Sequence, residues 1–170
     1  HKSTAFRLLA TLESHRLVTL LGAGGCGKTR LATEFARTRL AHFPDGVWFA
    51  PLDRLAIGGA VAETVAEAVG LSTADTAGQP PLASPDMQER LRTLLAERTA
   101  LVVLDNCEHV IDAAARLAVD LLASAPGLRL LTTSREALRV PGEVVWRVTP
   151  LAIDDAVTLF TERANAAMSN

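Results

Sequence analysis

Gly22-Ala23-Gly24-Gly25-Cys26-Gly27-Lys28-Thr29 decides how this 170-residue chain is read. The stretch runs Gly, four residues, Gly-Lys-Thr, the pattern of a loop that wraps a polyphosphate. Glycines let the backbone turn closely around an anion and aim successive N–H groups inward, where a Cβ would obstruct. The Lys28 ammonium suits β- and γ-phosphate oxygens, and the Thr29 hydroxyl suits Mg²⁺. A helix starting here adds its positive end to the same anion. The candidate phosphate-contacting residues are therefore Gly22, Gly24, Gly25, Cys26, Gly27, Lys28, Thr29 and Arg30.

The flanks supply the context such a loop needs. Arg16-Leu17-Val18-Thr19-Leu20-Leu21 reads as a short buried strand, and Leu31, Ala32, Phe35, Ala36 and Leu40 recur at helical spacing. A glycine-rich turn with an incidental lysine is the bland alternative, and it requires neither flank.

Outward from this core, residues 1–15 carry Phe6, Leu8, Leu9 and Leu12 on a helical pattern. After the turn Pro44-Asp45-Gly46, Val47-Trp48-Phe49-Ala50 is apolar throughout, as interior parallel strands tend to be. Ala60 to Val69 repeats valine every four residues and stops at Gly70. Leu71 to Pro85 has no period and reads as a mobile surface loop. Ser84-Pro85 caps a helix with Met87, Leu91, Leu94 and Leu95 on its inner face. Ala100 to Leu104 is an unbroken apolar strand ending in Asp105; a helix from Ile111 to Leu122 follows, stopped by Pro126-Gly127. Leu128 to Leu131 and Val144 to Val148 are the last strands, and a final helix is predicted from Asp154. Strands alternating with helices imply an α/β fold, with parallel β-α-β units and helices on both faces of one sheet.

In such sheets ligands sit at the carboxyl ends of the strands. The clusters Gly22–Thr29, Asp105–His109 and Thr132–Arg135 are all expected there. Asp105, at the end of an apolar strand, is placed to reach Mg²⁺ or one of its waters. Beside it stands Asn106, where many hydrolytic proteins have a second acid. Either Glu108 takes that role, or hydrolysis is slow and the domain works by holding nucleotide. For Glu108 and His109 the plainer account is polarity at a helix start. Arg135 could touch a γ-phosphate, or it could pair with Glu136 or another carboxylate. Lys28, Asp105, Glu108 and Arg135 are thus the catalytic candidates, and Thr29 and Asp105 the Mg²⁺ candidates.

The formal charge of −2 argues against a nucleic-acid surface, which needs clustered Lys and Arg. Arg90, Arg92 and Arg98 alternate with Glu89 and Glu97, as on a solvated helix face. Two cysteines, Cys26 and Cys107, are too few for a disulfide framework and lack metal-ligand spacing, which suits reduced thiols in a cytoplasm. No signal-peptide pattern or membrane-length apolar run is present. His1 in place of an initiator methionine leads us to expect a piece of a longer protein.

Together these residues resemble the STAND class of P-loop ATPases, in particular the NB-ARC-like modules of large bacterial transcriptional regulators. The resemblance rests on His15–Leu20 leading into Gly22–Thr29, on Leu104-Asp105-Asn106-Cys107-Glu108-His109, and on Thr133-Ser134-Arg135. Pro141-Gly142-Glu143 with Trp146, and Val148-Thr149-Pro150-Leu151, are also similar to that family. It implies a P-loop NTPase fold with sheet order 5-1-4-3-2. It implies an ATP/ADP switch in which Lys28 and Thr29 hold phosphate and Mg²⁺, Asp105 is the acid of the second motif, and Arg135 is the sensor. It further implies a nucleotide-binding domain over residues 1–150 and the start of a helical domain over 151–170. Flanking DNA-binding and sensor domains are the implied partners, with a nucleotide-dependent oligomer as a further expectation. The glycine-arginine element that such modules use to hold adenine is not found before Phe6. The alternatives are a small P-loop phosphotransferase and a structural module that keeps ADP permanently. No Asn-Lys-x-Asp or Leu-Ser-Gly-Gly-Gln stretch supports a GTPase or an ABC cassette.

Overall fold

A computed structural model describes residues 2–56, 60–71 and 85–150, the side chains of 2–6, 85 and 86 excepted. Helix α1 (Lys2–His15) leads into strand β1 (Leu17–Leu21), which ends at the glycine loop. Helix α2 (Lys28–Thr38) follows, then β2 (Val47–Pro51), α3 (Val61–Ala68) and α4 (Pro85–Leu95). The chain continues through β3 (Ala100–Asp105), α5 (Ile111–Ser124), β4 (Leu128–Ser134) and β5 (Glu143–Arg147). The five strands form one parallel sheet in the order β2-β3-β4-β1-β5, as the resemblance implies.

Alternation along the strands divides the core in two. Ala100, Val102 and Leu104 of β3 and Leu128 and Leu130 of β4 face α3, α4 and α5, whose Val65, Leu91, Leu95, Leu117 and Leu121 close that side. Leu101, Val103, Leu131, Val18 and Leu20 point the other way, against Leu8 and Leu12 of α1 and Phe35 of α2. Helices thus cover both faces, which is why β3 is buried along its whole length. On the surface of this layer Arg92 of α4 pairs with Glu89 and, at 3.0 Å, with Asp120 of α5, so the interleaved charges do form a mixed-sign face.

Several boundaries differ from the sequence reading. β1 starts at Leu17, because Arg16 takes a left-handed conformation (φ 62°) and its N–H closes on Leu12 O at the end of α1. The stretch 47–51, apolar enough to read as interior, is an edge strand, with Phe49 partly exposed. The hydroxyl residues expected at the end of the fourth strand pair within it: Thr132, Thr133 and Ser134 lie in register with Thr19, Leu20 and Leu21. The expected loop over 71–85 falls outside the described residues apart from its ends, as do the Ser84 cap and the helix from Asp154.

Leu121 and Val119 lie on the same helix, the first 1 % exposed and the second 46 %. Leu121→Ala is expected to cost about 2–5 kcal/mol by leaving a cavity. Val119→Ala should stay within about 0.5 kcal/mol of the parent protein. Urea unfolding of both variants measures the difference.

Candidate functional site

The loop after β1 turns through Gly25 (φ 76°) and Gly27 (φ 93°), conformations that side chains resist, and no neighbouring atom would meet a Cβ at either one. Gly27 is also the residue from which α2 departs, so the first N–H groups of that helix open onto the loop. Lys28, on the first turn, is 9 % exposed and donates to Gly22 O (2.8 Å) and Ala23 O (2.9 Å). Its ammonium is therefore held at the loop by two of its three protons. Arg30 is exposed on the same turn, and Cys26 is a half-buried free thiol in the loop.

Asp105 is the residue on which neighbouring elements meet. It is 8 % exposed, at the end of β3. One carboxylate oxygen, Oδ1, accepts from Thr29 Oγ1 of α2 (2.8 Å) and from Thr133 Oγ1 of β4 (2.6 Å). Thr133 Oγ1 in turn accepts the N–H of Asn106 (2.9 Å), whose left-handed conformation (φ 68°) turns the chain sharply off the strand. The sequence offers Thr133 only as part of the cluster Thr132–Arg135, and nothing local sets its hydroxyl apart from those of Thr132 and Ser134.

Past this turn, a short 3₁₀ segment (Cys107–His109) carries Glu108, which is paired with Arg135 (Oε1 to Nε, 3.0 Å). Of the two readings of Arg135, the ion pair is present, and its partner is Glu108 rather than Glu136. The guanidinium also lies against the glycine loop: a Cβ on Gly24 would sit 3.2 Å from Arg135 Nη2. Arg135 therefore reaches both clusters at once. Glu108 Oε2 is buried without a hydrogen-bond partner among the described residues, and so is His109 Nε2. Cys107 is fully buried, and its thiol is pushed up to about 12 by loss of solvent, with the Asp105 and Glu108 carboxylates adding to the effect.

The structure thus brings Lys28, Thr29, Asp105, Glu108 and Arg135 to one end of the sheet. A glycine cradle, an ammonium and a hydroxyl–carboxylate pair define a P-loop NTPase fold of the nucleotide-binding kind. The chain belongs to the NB-ARC family: the NB-ARC domain matches residues 2–170. Relatives of this domain include proteins named as bacterial transcriptional regulators.

Among relatives, a Mycobacterium tuberculosis protein named as an HTH-type transcriptional regulator is 45 % identical over 157 residues, covering 92 % of this chain. The regulatory protein AfsR of Streptomyces griseus is 33 % identical over 167 residues, covering 93 %. The chain spans only 17 % and 16 % of the lengths of these two proteins. Among solved structures, a STAND protein with a tetratricopeptide repeat sensor from Pyrococcus horikoshii matches with TM-score 0.57 and 16 % identity, over 91 % of this chain and 24 % of that one. Drosophila ORC bound to AT-rich DNA and Cdc6 matches with TM-score 0.61 and 16 % identity, over 91 % and 57 %. These two likenesses concern the fold. Among the described residues no helix is long and apolar enough to cross a membrane, and no cluster of His, Cys, Asp and Glu could hold a metal by itself.

The two thiols should differ sharply in reactivity. Iodoacetamide at about pH 8 is expected to modify Cys26 and to spare Cys107, whose thiol stays protonated and out of contact with solvent. Peptide mass spectrometry of the native protein reads the outcome; comparable labelling of both would contradict the burial of Cys107.

Proposed function

We propose that this domain is an ATP/ADP switch with slow Mg²⁺-dependent hydrolysis, controlling a neighbouring DNA-binding domain in a bacterial transcriptional regulator. The observation that carries the reading is the meeting of Lys28, Thr29, Asp105 and Arg135 around one glycine loop. The residues fit the ligands. Positive-φ glycines leave room for phosphate, and a hydroxyl beside a carboxylate is the hard-oxygen set that Mg²⁺ takes. Lys28, Thr29 and the loop N–H groups, with Cys26 and Arg30 at its margin, would hold the phosphates. Thr29 and Asp105 would hold Mg²⁺, which when bound neutralises charge on the phosphate oxygens.

The chain's own residues then divide the work. Thr133 fixes the Asp105 carboxylate, so the acid keeps one orientation. Glu108 is the carboxylate nearest in sequence that could orient an attacking water. Because Arg135 occupies one of its oxygens, we expect slow turnover. ATP and ADP differ only by the γ-phosphate, so only groups near it can favour one domain arrangement over the other. Arg135, lying against Gly24, is the group that can report it.

The regulator names of the relatives support an output through a DNA-binding domain, with sensor domains as further partners and nucleotide-dependent assembly as one form of output. We place the end of the nucleotide domain near residue 150, with 151–170 opening the helical unit that follows, and the protein in the cytoplasm. The formal charge of −2 supports leaving nucleic acid to a neighbouring domain.

Titration calorimetry tests the site and the sensor separately. Lys28→Ala is expected to abolish micromolar binding of both nucleotides; undiminished binding would refute the site. Arg135→Ala should narrow the ATP-over-ADP preference by about tenfold while leaving ADP affinity roughly intact. Equal weakening of both nucleotides would remove Arg135 as the sensor.

A further inference from the structure

Pro141-Gly142-Glu143 has no part in the site as described so far, yet its geometry leads back to Arg135. Val140 to Glu143 form a tight turn closed by Glu143 N–H on Val140 O (3.2 Å), with Pro141 setting the first bend and Gly142 (φ 80°) the second. The turn delivers Glu143 to the first position of β5, opposite Leu17 of β1. The carboxylate then folds back over the segment that precedes it. Oε1 accepts the N–H of Leu138 (2.9 Å) and the hydroxyl of Thr19 (2.6 Å), and Oε2 accepts the N–H of Arg139 (2.7 Å). Thr19 Oγ1 is also 2.7 Å from Thr132 Oγ1 of β4.

One side chain therefore joins three neighbouring strands to the segment 135–142, which leaves the sheet after Ser134 and returns at Glu143. Arg135 is the first residue of that segment. Its side chain is 64 % exposed, and the guanidinium lies against Glu108 and the glycine loop. The course of its backbone is set on one side by Ser134 in β4, and on the other by Leu138 and Arg139. Arg139 itself sits in a left-handed conformation (φ 60°), which a non-glycine residue keeps only where its surroundings impose it. The Glu143 carboxylate accepts its N–H, and the neighbouring Leu138 is buried in the core, so both bear on this conformation.

We propose that Glu143 is a positioning residue for Arg135. By clamping the backbone at residues 138 and 139 to β1 through Thr19, it holds the guanidinium over the glycine loop and so sets the response to a γ-phosphate. This rests on the switch reading above and goes beyond it by assigning a role to a residue that touches no nucleotide. The carboxylate matters here because it offers only acceptors. Three donors converge on it, and Gln would turn one acceptor into a donor facing another donor.

The test measures affinity for Mg-ADP and a non-hydrolysable Mg-ATP analogue in the full chain and in Glu143→Gln, Arg135→Ala and the double variant. Glu143→Gln is expected to cut the ATP-over-ADP ratio by about fivefold while ADP affinity stays within about twofold. The double variant should lose no more of the ratio than Arg135→Ala alone, since both act through one group. A wild-type ratio in Glu143→Gln, equal weakening of both nucleotides, or losses that multiply in the double variant would overturn the proposal. A wild-type ratio in Arg135→Ala would instead overturn the sensor reading beneath it. Should Glu143→Gln fail to fold, Thr19→Val decides the matter, since it removes one donor at nearly constant shape. It is expected to narrow the ratio in the same direction, and an unchanged ratio counts against the clamp.

Discussion

Burying a carboxylate is costly unless hydrogen bonds replace the water it loses, and the site is arranged around that requirement at Asp105. The acid sits at the end of the most buried strand, and the hydroxyls that satisfy it come from two other elements, Thr29 on α2 and Thr133 on β4. Hydrogen bonds to a charged group contribute about 1.5–3 kcal/mol each, enough to fix how these elements meet. The same Thr133 hydroxyl accepts the Asn106 N–H, so the turn after β3 and the end of β4 are set by one atom. The glycine loop, the acid and the strand that leads to Arg135 are consequently held in a single geometry before any ligand enters.

That geometry depends on strand order. β4 lies between β3 and β1, which makes Thr133 a neighbour of Asp105 and Thr132 a neighbour of Thr19. Because β4 alternates, its consecutive threonines serve opposite faces of the sheet. Thr132 joins the ladder that ends at Glu143, and Thr133 serves the phosphate end. The polar residues of an otherwise apolar strand are thus divided between two networks, and both lie close to the point where Arg135 leaves the sheet.

Much of this was legible in the residues and some of it could not be. The glycine loop declares itself because phosphate demands particular residue types at fixed spacing, and β3 because an apolar run ending in Asp105 is buried on both sides. Apolar content does not name a strand's neighbours, however. Val47–Pro51 is as apolar as an interior strand yet sits at the edge, and the sheet order was reached only through resemblance. Hydroxyl residues mislead for a related reason. Threonine suits a strand whether or not its oxygen has a task, so Thr19, Thr132 and Thr133 carry no local mark of the bonds they make. Glu143 meets Thr19 from far along the chain, and only the parallel pairing of β5 with β1 reveals it. The Arg135–Glu108 pair was open as one of several carboxylate partners, and the fold selected among them.

The strength of that pair bears on whether such a domain can switch. Arg135 is 64 % exposed, so solvent screening keeps its ion pair well below the strength of a fully buried one. A contact that weak cannot lock the guanidinium against a competing phosphate, which offers several anionic oxygens to the same donors. It can still keep the group near the loop when no competitor is present. Glu108 differs from its partner in being mostly buried, with one oxygen unsatisfied by the protein. Withdrawing Arg135 would therefore leave a mostly buried acid without its ion-pair partner. A carboxylate in that position gains most from a water or a cation arriving beside it. On the switch reading proposed above, the same guanidinium would serve either Glu108 or a γ-phosphate, and the exposure of the ion pair is what leaves that exchange open.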